Sequence, residues 1–307
     1  MTDHPPAEYQ YDFITAPLTT FRIGGPADII AWPQDAQELI DTIHWAQNKK
    51  IPITFLGGGS NVLISDYGIR GLLIVTAKMG FITREKNDNI VECGAGCDVQ
   101  KLVFWAIDNQ VSGLEFAGGL PGSLGGAIWM NAKAYGGEFS GIVTWAEAVN
   151  KNNEVEYFTN SQMNFSYKKS IFQDRKLFIT KVKLKFKVGI KDDILKSSQK
   201  NIDDRNSKKQ NLIFSAGCVF KNNYSAGIPS GKLIQDAGLK GLTEGGARIF
   251  EEHANFVINA NNAKAADVIA LMKISQKTVQ EKFNILISPE VQFIGDFQDQ
   301  LSGLQQD

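Results

Sequence analysis

The stretch from Phe116 to Gly137, FAGGLPGSLGGAIWMNAKAYGG, constrains the fold more than any other part of this chain. It holds seven glycines: Gly118, Gly119, Gly122, Gly125, Gly126, Gly136 and Gly137. Glycine reaches positive φ at little steric cost and lets another group come close to the backbone. The flanking sequence is well mixed, so the block is not low complexity. Successive bare amides form concave anion nests. The block therefore predicts a backbone surface for a large, phosphate-bearing ligand.

A second run, Gly57-Gly58-Gly59-Ser60-Asn61, follows the short apolar segment 53–56. Its amides and the Ser60 hydroxyl suit a pyrophosphate; the plainer reading is a tight surface turn. It lacks the lysine of a P-loop. A third, Cys93-Gly94-Ala95-Gly96-Cys97, starts like a dinucleotide fingerprint but has Val99 where the third glycine belongs. It reads mainly as a strand-to-helix turn.

Bulk properties exclude several classes. A length of 307 residues predicts about two domains. A net charge of -1 leaves no electrostatic footprint for nucleic acid. No apolar run approaches the roughly 18 residues that span a membrane. The start, MTDHPPAEYQYDF, has neither the basic region nor the apolar core of a secretory leader. Cys93, Cys97 and Cys218 are the 3 cysteines, an odd number that argues against a disulfide framework. Cys93 and Cys97 have no second ligand pair nearby, so no metal is expected. A reducing cytoplasm is the expected location.

Periodicity supplies the frame. A helix is expected over 35–48, with Asp35 as N-cap and Glu38 completing a capping box. Strands are expected over 53–56, 72–75 and 90–93. Asp98 caps a second helix, whose Val99, Leu102, Val103, Ala106 and Ile107 share one face. Strand patterns follow over 145–149, 154–158 and 177–186. In the last, Val182, Leu184 and Phe186 alternate with Lys181, Lys183 and Lys185, so one face is wet. Segment 187–194 reads as a boundary, and a polar helix runs over 192–207. A strand near 218–220, a short helix over 232–237 stopped by Gly238, a strand over 256–258, a helix over 265–283 and a strand over 291–294 complete the pattern. In the long helix, Val268, Leu271, Met272, Ser275 and Val279 lie on one side. The first dozen residues read as a loose arm. Irregular alternation argues for α+β, not a doubly wound parallel sheet.

Candidate side chains are individually weak. Cys218, in SAGCVFKN, can donate a proton from a thiol of ordinary pKa near 8.5, or simply fill space. Glu290, after Ser288-Pro289, reads as an exposed edge carboxylate. Lys168 and Lys169 read as a solvated pair and His253 as structural. Arg205 and Lys208, three apart on an expected helix, share a face.

Taken in order, seven segments resemble one family, the UDP-N-acetylenolpyruvoylglucosamine reductases (MurB). They are TFRIGGPAD from Thr20, the Gly57–Asn61 loop, the block 114–137, and the segments 167–172, 216–222, 231–241 and 288–295. The absence of the longer subtype's loop insertion matches the short (type II) subtype. The resemblance implies an α+β fold: an FAD-binding region of the PCMH (vanillyl-alcohol-oxidase-like) type with two subdomains, and a C-terminal α+β substrate-binding domain. The expected divisions are an arm over 1–16, the FAD-binding domain over 17–187 and the substrate domain over 188–307.

The resemblance further implies reduction of UDP-N-acetylglucosamine enolpyruvate to UDP-N-acetylmuramate for peptidoglycan precursors. NADPH is the implied reductant, FAD the implied non-covalent cofactor and a monomer the implied state. Hydride reaches C3 of the enolpyruvyl group, and a general acid protonates C2. Cys218 matches the proton donor, Glu290 the catalytic glutamate and Lys168 the position at the substrate carboxylate. FAD is expected against Gly57, Gly58, Gly59, Ser60, Asn61, Gly118, Gly119, Pro121, Gly122, Ser123, Gly125, Gly126 and Asn131. Arg205, Lys208, Asn222, Lys232 and Gln235 fall in segments that face substrate. The chain departs from the family at three places. Lys168 replaces an arginine, which loses the bidentate fork. Lys133 replaces a glycine. Asn211-Leu212-Ile213-Phe214 stands where prolines are usual. A flavin oxidase of the same fold, or a degenerate sugar-nucleotide-binding regulator, is the competing reading. The missing complete G-x-G-x-x-G argues against a plain nicotinamide dehydrogenase.

Overall fold

The alternating patterns on either side of the glycine block build one five-stranded antiparallel sheet. Its order is Val155–Thr159, Val143–Val149, Phe178–Lys185, Ile90–Gly94, Ile82–Arg84. Val182 and Leu184 are fully buried and Lys185 is exposed. On the wet face Lys181 stands opposite Glu147, 3.3 Å away, and Lys183 opposite Glu92, 3.8 Å away. These are cross-strand charge pairs. The helix Val99–Asp108 buries all five of its expected apolar residues in the same core. Asp98 caps it by accepting the Lys101 N–H at 2.9 Å. The observed architecture is α+β.

The computed structural model describes residues 3–84, 89–210, 212–223 and 227–306. Asn211, part of one departure from the family pattern, lies outside them. The chain forms two compact units. The first comprises residues up to Gln10, Ile30–Gly58 and Leu72–Ser207; the second comprises Tyr11–Ile29, Gly59–Gly71 and the chain from Lys208 onward. These units are discontinuous in sequence, unlike the linear division expected at 187/188.

Further strands form a sheet in the order Glu8–Ile14, Pro26–Trp32, Ile69–Val75, Ile53–Leu56, with Ile53 opposite Leu72 in a parallel pair. The expected loose arm thus contains a strand. Within the expected boundary segment 187–194, Lys187–Val188 pairs with Val111–Ser112. The helix Ala36–Asn48 is capped by Asp35 as expected. Glu38, however, accepts the Gln34 N–H at 2.7 Å, one residue earlier than a capping box requires.

In the second unit the helix Ala265–Phe283 buries Val268, Leu271, Met272, Ser275 and Val279, as its pattern predicts. Its first amides are satisfied from afar: Asp66 accepts the N–H groups of Ala265 and Ala266 at 2.8 and 3.1 Å. The strand Gln292–Ile294 pairs in parallel with Val62–Ile64. This pairing brings the chain just after the glycine triplet beside the chain just after Glu290.

Candidate active site

Two glycine runs meet in the first unit through one side chain. Ser123 caps the helix Leu124–Trp129, and its Oγ accepts N–H groups from Gly58 at 3.0 Å and Gly126 at 3.4 Å. A Cβ on Gly58 would lie 2.4 Å from the Ser123 backbone nitrogen, so only glycine permits this approach. Gly58 and Gly126 are both exposed, leaving a strip of backbone without side chains. Gln100, which sequence reasoning missed, orders the neighbouring loop. Its side chain accepts the Gly119 N–H at 2.7 Å and donates to the carbonyls of Ala117 and Leu120, both at 2.8 Å.

The anion-nest expectation is corrected at several positions. The N–H groups of Gly58, Gly118, Gly119, Gly125 and Gly126 all donate within the protein. Gly119 sits under the helix Lys191–Ser207, where a Cβ would lie 2.6 Å from Arg205 Cδ. These glycines give close approach more than anion binding. The Arg205 guanidinium lies 5.4 Å from the Tyr135 ring centre. Tyr135 donates to Asp204 Oδ2 at 2.8 Å, and burial with that bond pushes its pKa to about 12. Arg205 and Lys208 do not share a helix face, because the helix ends at Ser207.

Asn131 is buried in a left-handed conformation, φ 44°. Its side chain donates to the Ser166 carbonyl at 3.3 Å and accepts the Ser140 N–H at 3.0 Å. Lys168 is also left-handed, φ 58°, in the tight turn closed by mutual bonds between Ser166 and Lys169. Such φ is unfavourable for a lysine and needs outside support. Gln173 supplies it, donating to the carbonyls of Lys168 and Trp129, both at 2.9 Å. Lys168 is half-buried, whereas Lys169 is exposed and pairs with Asp174 at 3.0 Å. Lys133 stands exposed on a two-residue hairpin whose tip, Tyr135-Gly136, has φ of 45° and 83°. That oddity lies on a surface strand.

The second unit brings Cys218 and Glu290 together. Instead of the expected strand, 218–221 is an extended segment held from both sides. Cys218 bridges Phe256 and Phe220 bridges Pro289. Glu290 donates its N–H to the Val219 carbonyl at 2.8 Å, and Lys221 donates to Ser288 at 2.8 Å. Glu290 is 8 % exposed, which corrects the exposed-edge reading. Its carbonyl accepts from Asn61 Nδ2 and Gln292 Nε2, each at 3.2 Å. Asn61, expected at the cofactor, thus ties its side chain to the glutamate's backbone. Asn255, another residue not singled out, brackets Phe220 with both ends of its amide.

The remaining candidates are spread along one short helix. Asn222 Oδ1 accepts the N–H of Ser230, the first residue of the helix Ser230–Asp236. Lys232 and Gln235 are exposed on it, with Lys232 paired to Asp236. His253 rests against Phe256, ring centres 4.6 Å apart, and burial lowers its pKa, so a structural role fits. Cys93 and Cys97 lie in the first unit's core; burial pushes both thiols up, Cys97 to about 11. Among the described residues no cluster of three or more His, Cys, Asp or Glu side chains could hold a metal ion. No described helix is long and apolar enough to cross a membrane.

An antiparallel sheet beside glycine backbone that other groups approach closely suits a large, flat cofactor. Residues 27–158 match the FAD binding domain family, which places the chain among FAD-binding proteins. Residues 208–294 match the C-terminal domain of UDP-N-acetylenolpyruvoylglucosamine reductase. The reductase of that name from Treponema denticola is 40% identical, over 92% of each chain. That from Caldanaerobacter subterraneus subsp. tengcongensis is 39% identical, over 91% of each. The crystal structure of MurB from Thermus caldophilus shares 31% identity, with a TM-score of 0.77, and covers 94% of this chain and 98% of its own. The chain belongs to the UDP-N-acetylenolpyruvoylglucosamine reductase family and acts in peptidoglycan precursor synthesis.

Proposed function

We propose that this enzyme uses NADPH to reduce UDP-N-acetylglucosamine enolpyruvate to UDP-N-acetylmuramate, with Cys218 as proton donor. The main support is the hydrogen bond from the Glu290 N–H to the Val219 carbonyl, 2.8 Å, which makes Glu290 a neighbour of the Cys218 segment. FAD would be held by the glycine loops and would supply the chemistry of hydride transfer from the reduced nicotinamide to C3 of the enolpyruvyl group. The electron pair of the C2–C3 double bond then rests on C2 and its carboxylate. Preorganised charge and hydrogen bonding dominate the stabilisation of such an anion. We assign Lys168 to the carboxylate as a point charge, and Glu290 as an acid that stabilises the anion. The Cys218 S–H bond breaks as the C2–H bond forms, and the thiolate regains a proton from solvent.

Gly57, Gly58, Gly59, Ser60, Gly118, Gly119, Pro121, Gly122, Ser123, Gly125 and Gly126 form the cofactor surface in this reading. Ser123 shapes it through the bonds its hydroxyl accepts. Asn61 and Asn131 act on neighbouring backbone. Arg205, Lys208, Asn222, Lys232 and Gln235 are assigned to the sugar nucleotide. The FAD-binding domain over 17–187 and the substrate domain over 188–307 remain the proposed functional division, with the protein working as a cytoplasmic monomer. The free cysteines accord with a reducing compartment.

The test is anaerobic. The purified protein is expected to show flavin absorbance that NADPH bleaches and the enolpyruvyl sugar nucleotide restores. Bleaching by NADPH without restoration by that substrate would overturn the assigned reaction.

A further inference from the structure

We propose that Asn255 is the positioning residue for the proton-donating thiol, a role that rests on the assignment of Cys218 above. Asn255 is 1 % exposed. Its Oδ1 accepts the Phe220 N–H at 3.0 Å, and its Nδ2 donates to the Phe220 carbonyl at 2.8 Å. Its own carbonyl accepts the Val219 N–H at 2.8 Å. The Val219 carbonyl takes the Glu290 N–H on the opposite side. Asn255 and Glu290 therefore grip the same residue, the one that follows Cys218.

Before Cys218, the Gly217 N–H donates to Ser215 Oγ at 3.4 Å. Gly217 is left-handed, φ 75°, and a Cβ there would meet nothing within 4 Å. On the C-terminal side of Cys218, Asn255 makes three bonds, two of them through its side chain. Both polar ends of its amide serve one residue, so its removal strands the N–H and C=O of Phe220 together. A misplacement of about 1 Å in a reacting group costs on the order of 10²-fold in rate. Asn255 thus acts on the protonation step and leaves flavin binding untouched.

Two variants of the FAD-loaded, full-length enzyme test this in stopped flow, with flavin reduction by NADPH and reoxidation by the enolpyruvyl sugar nucleotide followed separately. For Asn255→Ala we expect reduction within about twofold and reoxidation slowed on the order of tenfold or more. Asn255→Asp places a buried carboxyl opposite the Phe220 carbonyl, and burial raises a carboxyl pKa. Its protonated form can donate as asparagine does; its ionised form cannot. Reoxidation in Asn255→Asp should therefore recover as pH falls, and in Asn255→Ala it should not. Equal loss in both half-reactions, no loss, or no acid recovery would overturn the proposal. If Asn255→Ala loses flavin, the pH profile of Asn255→Asp still decides. Cys218→Ala separates the two claims: normal reoxidation in that variant defeats the thiol assignment itself. If Asn255 acts through the thiol, adding Asn255→Ala to Cys218→Ala should cost little more.

Discussion

The glycine loops of the first unit and the Cys218–Glu290 cluster of the second are built by opposite means. In the first, side chains are removed so that other groups can approach the main chain: Gly58 lies against the Ser123 backbone, and Gly119 beneath the Arg205 side chain. In the second, side chains are added to hold main chain: Asn61 and Gln292 on the Glu290 carbonyl, Asn255 on Phe220. A backbone cradle fails when any bulk enters it. A side-chain clamp fails when one amide is cut away. The two regions should therefore break differently under mutation.

The largest effects separate them most sharply. Gly58→Ala puts a methyl 2.4 Å from a backbone nitrogen that cannot move aside. We expect flavin to be lost on purification and turnover to fall on the order of 10²-fold or more; the visible spectrum and a steady-state assay check this. Glu290→Gln should do the reverse. Flavin content and NADPH reduction stay normal, while reoxidation by substrate falls on the order of 10²- to 10³-fold in stopped flow.

Ser123→Ala is intermediate. It removes the acceptor shared by Gly58 and Gly126, and loss of a helix cap costs about 1 kcal/mol. Flavin affinity should weaken about fivefold, measured by fluorescence titration.

His253 gives a smaller, pH-dependent effect. Burial holds its pKa below the ordinary value of about 6.5, so the unfolded chain takes the proton first. The stability this provides is full above about pH 6.5 and is lost as pH falls toward the folded value. His253→Gln should flatten that part of the stability-against-pH curve in urea unfolding. The smallest expected change is Lys168→Arg. The charge stays and the fork returns, so kcat/KM should not fall; abolished turnover would break the alignment of this residue with the family arginine.

Much of the first unit was legible because its signals are local. Asp98 caps its helix as read, and the buried stripe from Val99 to Ile107 follows from spacing alone. The glycine block announced close approach, though not what approaches: Gly119 meets an arginine side chain and Gly58 a serine. The second unit was less legible. The segment at Cys218–Phe220 was expected as a strand, yet its partners are a turn-borne Asn255-Phe256 and the run Ser288–Glu290. Arg205 and Lys208 looked like neighbours because a helix was extended one residue too far. Glu290 looked exposed because nothing nearby in sequence covers it.

By itself the sequence determined the long helices, the Asp35 and Asp98 caps, the alternation of the large sheet and, through seven ordered resemblances, the family. Only the tertiary structure decided that Asn61 would hold the backbone of Glu290, 229 residues away, and that Asn255 would clamp Phe220 beside Cys218. The physical reason lies in the atoms involved. Caps and amphipathic faces depend on side-chain types at short, fixed spacings, and those spacings are written in the chain. The Cys218–Glu290 cluster is joined through main-chain N–H and C=O groups, which nearly every residue carries, held by one another and by amide side chains distant in sequence. Such contacts leave no mark in composition or period, and they become visible only when distant segments lie side by side.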